Sequence, residues 1–297
     1  MSGTPTFALG ATFLGLGPRS GARVSVVGIP LDLGTTNRAG ARGGPTAIRQ
    51  ASRMLVDGAH PHSLRDPAAI AADGGDFEIA LGDLAGSLAL IERQAARHAH
   101  LLALGGDHTI TLALLRAAAR RHGKLALVHF DAHVDTWPDS FGQPFGHGSV
   151  FFHAINEGLV EPQRMIQLGI RSPVQRDVWD WTLGQGVTVL SAERIHAEGV
   201  DAAVAAVQAC IGDAPVYLSF DIDTLDPAFA PGTGTPEIGG LASWQAQAII
   251  RRLGSLRWIG ADFVEVAPAY DVAEITALAA ATFAWEYLAL LSGESSS

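Results

Sequence analysis

From Val24 to the C-terminal region the chain alternates short apolar runs with longer stretches of helical spacing. Strands buried on both faces of a parallel sheet read as continuous apolar runs, whereas the covering helices carry a one-sided apolar stripe. Runs of the first kind occupy residues 24–29, 101–104, 125–130, 165–170, 187–190, 216–220 and 258–266, with 68–72 a weaker eighth. Helical spacing covers 84–98, 109–122, 200–211, 243–253 and 272–291. Pro45, after Gly43 and Gly44, suits the first turn of a helix through Ala47, Ile48, Ala51 and Leu55. This alternation predicts βαβ units and a three-layer α/β/α fold around a mainly parallel sheet of about eight strands.

Two segments break the rhythm, 135–148 and 223–240; both are irregular, rich in Gly, Pro and polar residues, and each follows an apolar strand. In open parallel sheets ligands bind in the crevice outside the carboxyl ends of the strands, so these loops are the first places to look for chemistry.

Three strand ends carry it. The run LALVHF leads into Asp131, His133 and Asp135, which in extended chain point to one side. VYLSF ends in Asp221 and Asp223, and LLAL in Gly105, Gly106, Asp107 and His108, where the glycines permit a tight turn before a helix near Thr109. Four carboxylates gathered at strand ends repel one another unless a counter-charge is present, and two divalent cations supply it. Aspartate and histidine without cysteine suit Mn²⁺, Ni²⁺ or Zn²⁺ better than Ca²⁺, which prefers oxygen alone. An Asp-x-Asp pair by itself is an ordinary turn or helix cap; three such ends together are not.

Composition narrows the class. With 48% hydrophobic and 17% charged residues, the 297-residue chain can bury one large core, and without a linker, charge block or internal repeat it reads as a single domain over 1–297. Residues 1–20 form an N-terminal extension and 292–297 a frayed tail on this reading. A formal charge of −10 argues against nucleic acid as a partner. The lone Cys210 cannot form an intrachain disulfide and sits among small residues, as a structural thiol. The first residues show no charged-then-apolar leader, and no apolar stretch approaches the roughly 18 residues of a membrane span, so a cytoplasmic protein with no membrane partner is expected.

The motifs also carry a resemblance. Gly105–Gly–Asp–His108, Phe130–Asp–Ala–His–Val–Asp135 and Ser219–Phe–Asp–Ile–Asp–Thr–Leu–Asp–Pro227, running on to Pro236, resemble the signatures of the ureohydrolase family of arginases and agmatinases. The likeness extends over about residues 24–291 and is nearest the agmatinase branch. It implies an arginase-like fold and two Mn²⁺ ions per chain, with Ni²⁺ the other candidate. One ion would be held by His108, Asp131, Asp135 and Asp221, the other by His133, Asp131, Asp221 and Asp223. Water activated by the pair would attack the guanidino carbon, with Asp135 orienting it, and urea and an amine would be released. His147, in Phe145–Gly–His–Gly–Ser, resembles the family's proton-shuttling histidine, and Glu265 the glutamate that grips the guanidinium. Asp107, His129, Asp226 and Thr235 read as supporting or turn residues. The family further implies a homo-oligomer, a trimer or hexamer.

The substrate's far end is less determined. Residues 136–145 contain Asp139, Trp137 and two phenylalanines but no Lys or Arg, which favours a cationic tail such as that of agmatine over a carboxylate. Arg38 and Arg42 could approach from elsewhere. Guanidinobutyrate, guanidinopropionate, guanidine or a biguanide are the other substrates to weigh, as are a formimino or amide C–N bond and a non-catalytic partner subunit. The last is disfavoured because all six ligands are intact.

Overall fold

The computed structural model describes residues 11–56 and 58–293. Residues 1–10 of the expected extension and 294–297 of the expected tail lie outside the described residues. Eight strands form one sheet: β1 (Val24–Ile29), β2 (Ala71–Asp76), β3 (Leu101–Gly105), β4 (Leu125–Phe130), β5 (Val160–Ile170), β6 (Thr188–Ser191), β7 (Pro215–Asp221) and β8 (Arg257–Val264). Their order is β2-β1-β3-β8-β7-β4-β5-β6, and every pairing is parallel. The last two strands in sequence thus insert between β3 and β4.

Strand alternation divides the core. Val26, Leu102, Leu104, Val128 and Phe130 face one side with α1 (Gly44–Ser52), α6 (Ala192–Ile211), α7 (Ser243–Arg251) and α8 (Ile275–Leu291). Val27, Ala103, Leu127 and Met165 face the other, against α2 (Leu84–Ala95), α3 (Ile110–His122) and α4 (Val150–Asn156). Three layers result, as the pattern predicts. The apolar α8 is buried along most of its length and carries one fully buried carboxylate, Glu286. Its oxygens are satisfied by His60 Nε2 at 2.9 Å, Gln247 Nε2 at 2.8 Å and Arg251 Nη2 at 2.6 Å, the condition on which a charge can stay buried. No helix among the described residues is long and apolar enough to cross a membrane.

The departures from the expected elements have local causes. β8 stops at Val264 because Glu265 takes a left-handed φ of 65°. β5 begins at Val160, five residues ahead of the apolar run, through a polar, partly exposed stretch. The weak strand at 68–72 is a 3₁₀ turn over Pro67–Ile70 followed by β2. α4 and α5 (Arg176–Gly184) were absent from the hydrophobic pattern, and so was the first part of α6, whose only buried residues before Gly199 are Ala192 and Ile195. At Gly199 a φ of 84° breaks α6, which is why helical periodicity starts only at Val200.

Candidate metal centre

His108 follows β3, Glu265 follows β8, Asp221 closes β7 with Asp223 two residues on, and Asp131, His133 and Asp135 follow β4. Because β3, β8, β7 and β4 are consecutive neighbours, four strand ends deliver these side chains to one crevice. The glycines of the first turn serve a purpose different from the expected one. Neither has positive φ; instead, a Cβ on Gly106 would lie 2.2 Å from Leu31 O and 2.6 Å from Ile29 O, so the glycine lets the backbone beyond β1 approach. Gly106 N then donates to Ile29 O at 3.0 Å, which fixes the turn that presents His108.

His108 is fully buried, and its Nε2–H donates to Ser219 Oγ at 2.8 Å. Ser219 in turn donates to Asp262 Oδ1 at 2.8 Å, and Thr111 Oγ1 to Asp262 Oδ2 at 2.9 Å. Since the serine proton is spent on the carboxylate, the imidazole proton belongs on Nε2, leaving the Nδ1 lone pair free. That atom has no hydrogen-bond partner, yet carboxylate oxygens of Asp135, Asp131 and Asp221 stand 3.0, 3.3 and 3.3 Å away. A lone pair facing three carboxylates is repelled by them unless a cation lies between, so the residues fit a metal ion.

A second focus adjoins the first. His133 Nδ1 lies 3.2 Å from Asp131 Oδ1 and 3.0 Å from Asp223 Oδ2. Two groups, His108–His129–Asp131 and Asp131–His133–Asp223, have ligand atoms close enough to hold an ion. Burial, then the charges of Asp223 and Asp131, push the Asp221 carboxyl well above its ordinary range. Metal-free, the cluster would therefore take up protons where cations would otherwise supply the balancing charge.

Around this centre, His129 Nε2 lies 2.8 Å from Asp131 Oδ2, with Gln167 Nε2 3.1 Å from His129 Nδ1 and donating to Val134 O at 2.7 Å. Thr235 Oγ1 donates to Asp223 Oδ2 at 3.3 Å, Asp107 accepts from Gly34 N and Thr109 N, and Asp226 accepts from Ala228 N in its own turn and from Gly239 N and Gly240 N at the far end of the loop. Thr235, Asp107 and Asp226 thus make the contacts of supporting or turn residues, while His129 also offers a ligand atom beside those of His108 and Asp131. Asp135 and Glu265 both hold left-handed backbone, φ 48° and 65°, a conformation costing non-glycine residues on the order of 1–2 kcal/mol each.

His147 and Glu265 form a pair. Nδ1 of the histidine is 3.0 Å from Glu265 Oε1, which also accepts from His108 N at 2.8 Å, while Glu265 Oε2 is buried without a partner. Burial alone would lower the His147 pKa, but Glu265, with Asp135 and Asp107 behind it, raises it to about 9. His133, Asp135, Asp221 and His147 line a cavity of about 440 Å³, and Trp137 and Asp139 form part of its wall. Trp137 Nε1 donates to Gln175 Oε1 at 2.6 Å, and Asp139 Oδ1 accepts from Gly142 N at 2.7 Å. His108, Asp131, Asp223 and Glu265 are buried more deeply, all at 1% exposure or less.

Sequence reasoning missed Ser219, Asp262, Gln167 and Thr36, whose hydroxyl lies 2.7 Å from His147 Nε2. Of these only Asp262 left a signal, a carboxylate in the middle of an apolar strand.

Fold and site together define a metal-dependent hydrolase built on the carboxyl ends of a parallel sheet. A family model described as the arginase family matches residues 22–289. An agmatinase of Edwardsiella ictaluri is 49% identical over 89% of this chain and 86% of its own length. Among solved structures, a hypothetical agmatinase from Burkholderia thailandensis aligns with TM-score 0.90 and 44% identity over 96% of this chain and 92% of that one. The proclavaminate amidino hydrolase of Streptomyces clavuligerus aligns with TM-score 0.91 and 39% identity over 97% and 99%. The chain belongs to the arginase family, as a metal-dependent amidinohydrolase.

Proposed function

We propose that this chain hydrolyses agmatine to putrescine and urea with two manganese ions. The observation that carries the metal part of the reading is the unpartnered Nδ1 of His108 facing Asp131, Asp135 and Asp221, and the likeness to an agmatinase supports agmatine as the substrate. His108, Asp131, Asp135 and Asp221 would hold one ion, and His133, Asp131, Asp221 and Asp223 the other, with Asp131 and Asp221 shared. When bound, such a pair offsets the carboxylate charges and makes water acidic enough to act as a nucleophile near neutral pH. Ni²⁺ would satisfy the same donors.

The protein's own groups then perform the positioning. A guanidinium carbon is a weak electrophile because its charge is spread over three nitrogens, so attack depends on orientation. Glu265 Oε2, free of other partners, is the acceptor for the guanidinium. The carboxylate of Asp135 steers the attacking water. His147, whose pKa the Glu265 carboxylate raises, supplies the proton that lets the amine leave. Trp137 and Asp139 border the tail of the substrate, the aromatic ring against its methylenes and the carboxylate toward its terminal ammonium.

The likeness to proclavaminate amidino hydrolase supports other guanidino compounds as the second reading. A urea-release assay on protein loaded separately with Mn²⁺ and Ni²⁺, across agmatine, arginine, 4-guanidinobutyrate, 3-guanidinopropionate, guanidine and biguanides, decides between them. Agmatine is expected to be the best substrate with Mn²⁺; no urea from any compound would remove the reading. The proposal includes a cytoplasmic trimer or hexamer, which light scattering on purified protein tests for its assembly.

A further inference from the structure

We propose that Thr36 connects His147 to solvent through a cavity separate from the one that takes the substrate. This rests on the reading of His147 as the proton carrier. Both ring nitrogens of His147 are engaged: Nδ1 lies 3.0 Å from Glu265 Oε1, and Nε2 accepts from Thr36 N at 3.2 Å and lies 2.7 Å from Thr36 Oγ1, the arrangement of a ring whose Nε2 is ready to take up a proton. With Nδ1 committed to the carboxylate, Nε2 is the nitrogen left for proton exchange, and the hydroxyl of Thr36 is its immediate neighbour.

The placement of Thr36 gives that contact a direction. A second, more open cavity of about 670 Å³, the outer one, adjoins the 440 Å³ cavity, and Thr36, Ser140 and Phe141 line both. His147 lines only the inner cavity. With a substrate in the inner cavity, Thr36, itself exposed, still borders the outer one. The loop is held for this contact: Gly34 O accepts from His147 N at 3.1 Å, and Asp107 Oδ2 from Gly34 N at 2.8 Å.

The transfer balances simply. When His147 has given its Nε2 proton to the leaving amine, the Thr36 O–H bond breaks as a new Nε2–H bond forms, and Oγ1 takes a proton from water or a buffer acid in the outer cavity; Nδ1–H stays hydrogen-bonded to Glu265 throughout. The charged groups acting on His147 are Glu265, Asp135 and Asp107.

Thr36→Val keeps the side-chain shape and removes the hydroxyl, and Thr36→Ser keeps the hydroxyl. In dilute, bulky buffer and saturating substrate, Thr36→Val is expected to lower kcat by roughly 10-fold, a fraction of the ~10²–10⁴ that general acid–base catalysis supplies. KM and metal content should stay unchanged, Thr36→Ser should remain within about 2-fold of wild type, and added imidazole should restore Thr36→Val in a concentration-dependent way. Wild-type kcat in Thr36→Val overturns the proposal. So does a slow Thr36→Val that ignores imidazole or has lost metal, since the residue is then structural. His147→Asn separates the two readings: if it is fully active, the role of His147 fails, whereas an inactive His147→Asn beside a normal Thr36→Val removes Thr36 alone.

Discussion

His147 and Glu265 share one hydrogen bond while the other oxygen of the carboxylate is left buried and bare. One residue thereby holds the proton carrier and keeps an acceptor open for a cationic substrate. Replacing it by Gln keeps the shape and removes the charge. A hydrogen bond to a charged group contributes about 1.5–3 kcal/mol, so Glu265→Gln should lower kcat/KM for a guanidino substrate by roughly 10- to 150-fold.

The same substitution has a pH signature. In the folded, metal-free protein the His147 pKa is raised to about 9, above the ordinary 6.5, so the stability it contributes is complete below pH 6.5 and lost as pH rises through 9. Without the Glu265 charge, burial dominates and the pKa falls. The difference in unfolding free energy between metal-free wild type and Glu265→Gln should therefore shrink from pH 6.5 to 9 in denaturant titrations. Asp107, pushed up to about 6 by burial and then by Glu265, titrates below that window.

Ser219 controls the nitrogen that His108 offers. Its hydroxyl accepts from Nε2 and donates to Asp262, which keeps the lone pair on Nδ1. Losing such a support to a metal-binding histidine typically weakens binding by about 10- to 100-fold. Ser219→Ala should show that loss in Mn²⁺ titrations followed by calorimetry, with the far-ultraviolet circular dichroism of the fold preserved. Unchanged affinity would mean that the tautomer is set elsewhere.

Gly106 tests the backbone frame. An alanine there places its Cβ against the carbonyls of Ile29 and Leu31, two main-chain atoms that cannot rotate away. Overpacking of this kind costs roughly 1–3 kcal/mol, and the strain falls two residues before His108. Gly106→Ala should lower the midpoint of thermal unfolding and reduce metal content together.

Asp131, His133 and Asp135 were legible as candidates because they follow a buried strand, but strand alternation is not what brings them together: β4 ends at Phe130, the chain bends at Ala132 and His133, and Asp135 turns with φ 48°. Their convergence with His108, Asp221 and Asp223 was expected from three strand ends of one kind, but the strand order that achieves it, with β7 and β8 between β3 and β4, was not visible in local pattern. Supporting groups were harder still. Ser219 and Gln167 are common polar residues on strands, and their meaning comes from what stands across the sheet. Thr36 lies in an irregular loop more than a hundred residues from His147. α4 was missed because seven residues are too short to set up a period, although Val150, Phe151, Ala154 and Ile155 are buried, and α5 because Val178 and Thr182 are its only buried residues.

Asp139 offers the sharpest test of substrate choice. It stands in the wall of the cavity that His147 and Asp135 line, on a segment without Lys or Arg, and one of its oxygens accepts from Gly142 N. Asn can keep that turn while removing the charge, so Asp139→Asn separates loop structure from electrostatics. The residue is exposed, and an ion pair there is worth no more than about 1 kcal/mol, roughly a 5-fold change in affinity. KM for agmatine should therefore rise up to about 5-fold with kcat nearly unchanged, and the effect should weaken in high salt, which screens exposed charge. With 4-guanidinobutyrate, whose tail is a carboxylate, the same substitution removes a repulsion and KM should fall. Equal changes for both substrates would show that Asp139 shapes the loop without reading the charge of the tail, and the cationic end would then have to be recognised by another part of the cavity.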